Sequence, residues 1–548
     1  MSTKKKQSFL GGAAILASAV AIVKILGAVY KIPFGNIVGP KGQTYFNVAY
    51  NIYNVLLTIS TAGLPLAISK LTSQAHTQGR ENQKRKIFST AIWLFFAMGL
   101  VGTLLMFFGA EQLAAFMNEP LGYWPIRALS PAVFCVCLLA CMRGYTQGQG
   151  NMTPTAVSQI LEALCKLGLG LALAWYFLRL GMGLDIAAAG AILGVTAGTF
   201  LSLLYLIFYL LRHRDRRTSL DVPDSGGKLM RQVLAIGIPI TLSNSAMSII
   251  TLVDTKIVLG RLRDVPALAD SAAELFGQYT FGMNLINLPP SFVFPVTMSL
   301  IPFAAAALTR RDHAEAGRIV SSGFRLVAVL AIPAGVGLSV VGGPALLMLY
   351  PSRQADALAA GPHMRWLGIA CIFMCLMNLT NVILQTYGKE LIPIWTVIAG
   401  GVTKVVMNYI LVGNPDINIH GAPVSTLCCY VVIVGLNLFF VWKHSPEKPH
   451  YLQIFLKPVI ASVLMGGAVW AAHGFFDRAL DRLFLGMVSG ERAVERAAYL
   501  SNASATLLGI LAGVIVYAIL VVTMRILRAE DLKTMPHGTQ LAKLLHLR

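Results

Sequence analysis

From Arg127 the chain reads RALSPAVFCVCLLACMRGYTQGQGNMTPTAVSQILEALCKLGLGL, and from Arg365 it reads RWLGIACIFMCLMNLTNVILQTYGKELIPIWTVIAGGVTKVVMNY. An ungapped shift of 238 residues superposes Arg127 on Arg365, Cys137 on Cys375, Gly150 on Gly388 and Lys166 on Lys404. A second pair of segments, around GLPLAISKL and FPVTMSLIP, aligns Pro65 with Pro295, Ser69 with Ser299 and Arg80 with Arg310 at a shift of 230. Both pairs lie in apolar runs long enough to cross a bilayer. In each pair the partners stand six such runs apart, and an even separation preserves orientation. The repeat is therefore expected to be parallel, with two six-helix lobes related by an axis along the membrane normal.

The rest of the chain agrees with a membrane setting. Of 548 residues 56% are apolar and 12% charged, and mean hydropathy is +0.67. Soluble domains carry about 25% charged residues, so the globular class is excluded. Spans are expected near 9–30, 44–69, 87–109, 125–142, 155–178, 186–211, 232–256, 275–301, 318–340, 361–386, 391–412, 419–442, 453–475 and 501–527. The predicted fold is an all-α polytopic membrane protein of about 14 transmembrane helices. It divides into an N-lobe (1–228, spans 1–6), a C-lobe (229–446, spans 7–12) and a segment with spans 13 and 14 and a tail (447–548).

Net charge is +20, from 44 Lys and Arg against 24 Asp and Glu. On this span map 27 Lys and Arg fall on the side of the N-terminus, 13 on the other side, and Lys24, Lys166, Arg325 and Lys404 within spans. The richest loops hold Lys4–Lys6, Lys70–Lys86 and the run RHRDRR at Arg212–Arg217. The positive-inside rule then puts both termini in the cytoplasm of a multi-pass bacterial plasma-membrane protein. It also accounts for the charge without a nucleic-acid partner. The eight cysteines lie in apolar runs, where cysteine acts as a small hydrophobe, and their spacing fits neither a disulfide framework nor zinc.

Charges within a bilayer are costly, which makes them candidates for function. Lys24 sits deep in span 1, and Lys31 follows seven residues later on the same helical face, where it either snorkels to the outer interface or joins Lys24. Glu162 and Lys166 are four apart in span 5, in the favourable order for a helix ion pair, so a structural pair and a transport role both fit. Lys404 has Gly400 where Lys166 has Glu162 and so lacks that neighbour in sequence. Arg325 is expected to snorkel inward. Asp254 and Lys256 close span 7 near the outer surface, with Asp254 a candidate for ion coupling.

Polar side chains add a second set. Asn47, Asn51 and Asn54, with Tyr50, share one side of span 2, suited either to interhelical hydrogen bonds or to sugar contacts. Asn284 and Asn287 precede Pro289-Pro290, where broken helix exposes carbonyls to line a cavity. HExxH, P-loop and GxSxG patterns are all missing, so neither a metal site, ATP binding nor an enzyme activity is expected.

KILGAVYKIPFGNIVGPKGQTYFNVAYNIYNVLLTISTAGLPLAISKL, RGYTQGQGNMTPTAVSQILE at Arg143–Glu162 and NLINLPPSFVFPVTMSLIP closely resemble the stage V sporulation protein B branch of polysaccharide-biosynthesis membrane proteins. That branch belongs to the multidrug/oligosaccharidyl-lipid/polysaccharide flippase superfamily and is similar to the lipid II flippases of peptidoglycan synthesis. The resemblance implies a two-lobed carrier that moves a polyprenyl-pyrophosphate-linked sugar from the inner to the outer leaflet by alternating access. In lipid II flippases span 1 supplies a cation to a central cavity within a segment matched here by Lys24-Ile25-Leu26-Gly27. The resemblance therefore assigns anionic-headgroup binding to Lys24; Lys31, Lys166 and Lys404 join it as candidates from their own positions in or beside the spans.

Departures are plain. Asn54, Leu57 and Thr58 stand where proteobacterial members carry basic residues, and Lys31 stands where they carry an acidic one. The two extra C-terminal spans resemble those that border a groove for the polyprenyl tail. The expected partners are a lipid-linked glycan, membrane lipids and cell-wall synthesis enzymes, with the chain monomeric. No cofactor is expected beyond coupling to an ion gradient or the membrane potential. A cation-coupled multidrug exporter of the same superfamily and a non-transporting scaffold are the competing readings.

Overall fold

In the computed structural model the described residues are 9–213, 219–445, 447–487 and 493–527. Lys4–Lys6, Arg214–Arg217 and the 528–548 tail lie outside them. Every regular element among the described residues is helical. The first part of the chain holds α1 (Phe9–Thr61), α2 (Leu64–Thr77), α3 (Glu81–Phe108), α4 (Ala110–Phe116), α5 (Tyr123–Gly148), α6 (Thr153–Arg179), α7 (Gly183–Arg212) and α8 (Gly226–Asp264). There follow α9 (Ala272–Ile286), α10 (Leu288–Thr309), α11 (His313–Leu349), α12 (Gln354–Ala360) and α13 (Met364–Thr386). The last are α14 (Leu391–Val412), α15 (Gly421–His444), α16 (Tyr451–Met487) and α17 (Ala493–Thr523).

The expected fourteen spans are not reached by counting helices. Eleven described helices are long and apolar enough to cross a membrane, or twelve if the 45° bend within α8 is taken as one broken span. Two local features account for the difference. The first two expected spans share α1, which is counted once although Gly39 (φ 68°, ψ −174°) interrupts it. Phe34 and Phe46 would lie about 18 Å apart along an unbroken helix. Their ring centroids are 4.9 Å apart, so the two arms of α1 fold sharply toward each other at Gly39, a conformation glycine tolerates. The eighth expected span is split at Asn287 into α9 and α10, next to Pro289 and Pro290.

Contacts divide the chain into a first unit ending at Gly260 and a second beginning at Arg261. The first therefore runs past the 228/229 boundary expected from sequence. α8 meets α1 at points along its length: Thr255 accepts a hydrogen bond from Asn51 (2.8 Å), and Ser248 meets the Thr58 hydroxyl at 2.9 Å. Within the first unit α6 lies along α7, α5 along α3 and α7, and α1 along α5 and α6. Within the second, α11 packs on α13, α14 on α15, and the C-terminal pair α16–α17 packs on α11.

The repeat is written into the turns. Gly150, ending the α5–α6 turn, has φ 77°, and Gly388, its aligned partner between α13 and α14, has φ 70°. The turn hydrogen bonds match as well. Gly150 N donates to Gln147 O and Asn151 N to Thr146 O, while Gly388 N donates to Gln385 O and Lys389 N to Leu384 O. Each partner is 238 residues from its counterpart.

Candidate functional site: a caged lysine, a cross-turn ion pair and an apolar cavity

The folded arms of α1 bring aromatic residues from both into one row. Tyr30 stacks on Phe34, Phe34 meets Phe46, and Phe46 stacks on Tyr50, with centroids 5.4, 4.9 and 5.4 Å apart. Lys166, reaching across from α6, places its Nζ 5.0 Å from the Tyr30 ring, 5.7 Å from Phe46 and 4.4 Å from Tyr50. It also donates to the Tyr50 hydroxyl at 3.4 Å. Three ring faces and a phenol oxygen thus replace part of the water an intramembrane ammonium loses. Lys31 is half-buried on the first arm, directly after Tyr30 in the chain. The site is a concentration of positive charge with aromatic walls, chemistry suited to an anion.

Glu162 does not pair with Lys166. Its Oε2 accepts from Arg143 Nη2 at 3.1 Å, and Arg143 Nε donates to Ser158 Oγ at 2.9 Å. The sequence reading left Arg143 in a loop after span 4, but α5 continues to Gly148 and carries it within the helix. Arg143, Tyr30 and Phe46 are the site residues that sequence reasoning missed. The available signals were the position of Arg143 inside the repeat and of Tyr30 beside Lys31.

The other candidates distribute as follows. Lys24 lies half-buried on the first arm of α1, and Asn47, Asn51 and Asn54 are half-buried on the second. Asn51 donates to Thr255, and the Asn54 carbonyl accepts from Thr58. Asp254 is 5% exposed and sits inside α8, which extends ten residues beyond it. Lys256 places its ammonium 3.5 Å from the centre of the Phe116 ring. Lys404, Asn284 and Asn287 belong to the second unit. Lys404 is half-buried on α14. Asn284 is 8% exposed with its Nδ2 lacking a hydrogen-bond partner, and Asn287 donates to the Met283 carbonyl at 2.6 Å, at the break before α10.

The second unit also contains a cavity of about 640 Å³ walled by α10, α11, α16 and α17. Leu288, Val329, Leu338, Met465, Val514 and Val521 line it, and Tyr517 adds a phenol whose hydroxyl donates to the Val329 carbonyl at 3.1 Å. A hydrocarbon chain is what such walls accept.

The fold recurs in known proteins. Over 98% of its length the chain is 28% identical to the membrane protein YabM of Bacillus subtilis, covering 96% of that protein. It is 23% identical to stage V sporulation protein B of the same organism, covering 97% of this chain and 98% of the other. With the Bacillus subtilis lipid II flippase MurJ it shares 25% identity over 85% of this chain and 89% of the relative. Among solved structures, lipid II flippase MurJ in an inward closed conformation superposes with a TM-score of 0.66 at 15% identity, over 93% of this chain and 99% of that one. An inward-facing multidrug resistance MATE family transporter of the MOP superfamily gives 0.61 at 16% identity, over 79% and 98%. The model of the polysaccharide biosynthesis protein family matches residues 9–307, more than half of the chain and all of the α1–α6 region that holds the caged lysine, and the chain belongs to that family.

Proposed function

We propose that the protein is a flippase that moves a polyprenyl-pyrophosphate-linked sugar, such as lipid II or another cell-envelope precursor, from the inner to the outer leaflet. The observation that carries this reading is Lys166 held against the aromatic row of α1, in a chain whose curated relatives include a lipid II flippase. A diphosphate carries about two negative charges, and taking it out of water requires compensating cations. Lys24 and Lys404 complete the set in this reading. The apolar cavity beside α16 and α17 takes the polyprenyl tail. Both termini are cytoplasmic, the chain acts as a monomer, and transport draws on an ion gradient or the membrane potential, with Asp254 as a candidate coupling group.

The likeness to MATE transporters supports a multidrug exporter as the second reading. Against it, the MATE match leaves part of the chain uncovered, and α16 and α17 build the walls of the apolar cavity. Depletion in a host that lacks its other flippases separates the two. The proposal expects one lipid-linked precursor to accumulate on the inner leaflet. Unchanged precursor levels together with increased drug sensitivity would favour the exporter.

A further inference from the structure

A second cavity in the second unit, of about 510 Å³, lies where α11 begins, α15 passes into α16 and α17 ends. Its chemistry is opposite to that of the first. Arg318, Arg325, Lys448, Lys457 and Arg525 line it, with Glu447 as the one carboxylate among the described lining residues. Several of these groups are held in place. Arg325 donates to Ser322 Oγ at 3.2 Å, Lys457 Nζ donates to the Met524 carbonyl at 2.9 Å, and the Lys448 ammonium lies 4.0 Å from the Trp442 ring centre. Glu447 is turned onto Gly317, where a Cβ would collide with its carboxylate. A positive-inside bias alone scatters basic side chains into water; here they converge on a concavity.

The basic cavity and the apolar one draw on the same two stretches of chain. Arg325 precedes Val329 by one turn of α11, and Arg525 follows Val521 and Val522 at the end of α17. Those three valines line the apolar cavity. A polar mouth and an apolar channel thus share two helices, in the order in which a lipid lying in one leaflet presents its head and its chain.

We propose that the basic cavity is a docking position for a polyprenyl diphosphate lipid before transport, with the diphosphate among the cations and the chain running along α11 and α17. This proposal rests on the flippase reading and adds to it a waiting site on the expected cytoplasmic face, in a different unit from the caged lysine. Two features favour a diphosphate over an acidic phospholipid. Five cations against one carboxylate exceed what a singly charged phosphodiester neutralises. A single apolar cavity also suits one polyisoprenoid chain better than the paired acyl chains of a phospholipid. Lysine and arginine both bind phosphate oxygens, arginine as a bidentate fork and lysine as a mobile point charge. Basic pockets between helices on this side of a membrane are established sites for lipid phosphate in general.

The test uses the full chain in nanodiscs and a photoreactive farnesyl diphosphate, with crosslinks mapped by peptide mass spectrometry. The expected crosslinks fall within 318–329 and 521–526. Arg318→Gln/Lys457→Gln weakens labelling by ~tenfold or more, the loss of one or two charge-assisted contacts. Lys457→Arg stays close to the parent. Arg318→Gln alone, at an exposed position, gives a smaller loss in the same direction and serves if the double variant does not fold. Unlabelled farnesyl diphosphate displaces the probe, while inorganic diphosphate needs ~tenfold higher concentration because it leaves the apolar cavity empty. Crosslinks elsewhere, or labelling indifferent to Arg318→Gln, overturn the proposal. So does displacement by phosphatidylglycerol, which marks a phospholipid site, or equal displacement by inorganic diphosphate, which marks a free-anion site. Labelling requires no transport. Normal labelling without precursor accumulation on depletion sinks the flippase reading alone, and accumulation without labelling here sinks only the docking site.

Discussion

Arg143 Nη2 donates to Glu162 Oε2 at 3.1 Å across the turn from α5 to α6, while Lys166, one turn beyond Glu162, faces Tyr50. The carboxylate is thereby satisfied from its own side of the turn, and Lys166 remains available to the aromatic row. The two charges that a helical wheel joins are given separate work by tertiary contacts.

Arg143→Gln should therefore destabilise the first unit. It leaves the Glu162 carboxylate without its cation and Ser158 without its donor, at a cost of about 1–3 kcal/mol. Arg143→Gln/Glu162→Gln should recover part of that loss, because neither side then holds an unmatched charge. Thermal unfolding of the detergent-solubilised protein checks both. Equal stability of Arg143→Gln and the parent would show that the pair is incidental.

The aromatic cage predicts a graded response at Tyr50. Tyr50→Phe keeps the ring face and loses only a 3.4 Å hydrogen bond, so it should support near-normal rescue of a flippase-depleted strain. Tyr50→Leu removes the face 4.4 Å from Lys166, worth about 0.5–2 kcal/mol for a partly desolvated cation, and should reduce rescue at unchanged membrane abundance. Equal rescue by the two would remove the cage from the mechanism.

Much of this fold is legible in sequence because apolar runs and repeated turn residues are local signals. The 238-residue shift pairs Gly150 with Gly388, and their φ angles match. Helix ends were less legible: α5 outlasts its apolar run by six residues, which hid Arg143, and α8 outlasts its run by eight. Polar residues can continue a helix beyond its apolar run, and hydropathy does not register them. The cage was hidden for another reason. Tyr30 and Phe46 are sixteen residues apart and meet only because α1 breaks at Gly39, a tertiary event with no periodic signature.

The paired glycines give a prediction free of packing effects. A Cβ at Gly150 or Gly388 would meet nothing within 4 Å, so Gly150→Ala and Gly388→Ala test the backbone alone. With φ at 77° and 70°, each should cost about 1–2 kcal/mol. Thermal unfolding should show similar losses for the two. A neutral effect at one and not the other would mean that the turns are not equivalent.

The start of α3 is tied down by the segment before α8. Asp221 accepts from the backbone amides of Asn82 (3.0 Å) and Gln83 (2.9 Å), and Gln83 Nε2 donates to Asp224 Oδ2 at 2.9 Å. The Lys228 ammonium, hydrogen-bonded to Asp224, holds that carboxyl below its ordinary value. A depressed folded-state value means that the stabilisation is present above the ordinary carboxylate range and is lost as pH falls through the folded value. Hydrogen exchange at Asn82 and Gln83, corrected for intrinsic rates, should be equally slow from about pH 5 to 8 and accelerate only below about pH 4. Asp221→Ala should accelerate it throughout. Protection that is already lost at neutral pH in the parent would refute the tie.

Lys24 tests the anion reading most directly. It lies half-buried on the first arm of α1, two turns before Lys31. In the flippase reading these lysines form a path of cations for a diphosphate. A lysine suits such a path because a point charge on a flexible stem releases a ligand more readily than a bidentate fork does. Lys24→Ala should abolish rescue of a flippase-depleted strain while the protein still inserts, since removing an intramembrane charge lowers the cost of insertion. Lys24→Arg should keep part of the activity, because charge is retained but release is slowed. Lys24→Glu should keep none, because it repels the substrate. Immunoblotting of membranes separates loss of function from loss of protein. Full rescue by Lys24→Ala at normal abundance would leave Lys24 as a residue that reaches for the interface and would move the anion site to Lys31 and Lys166.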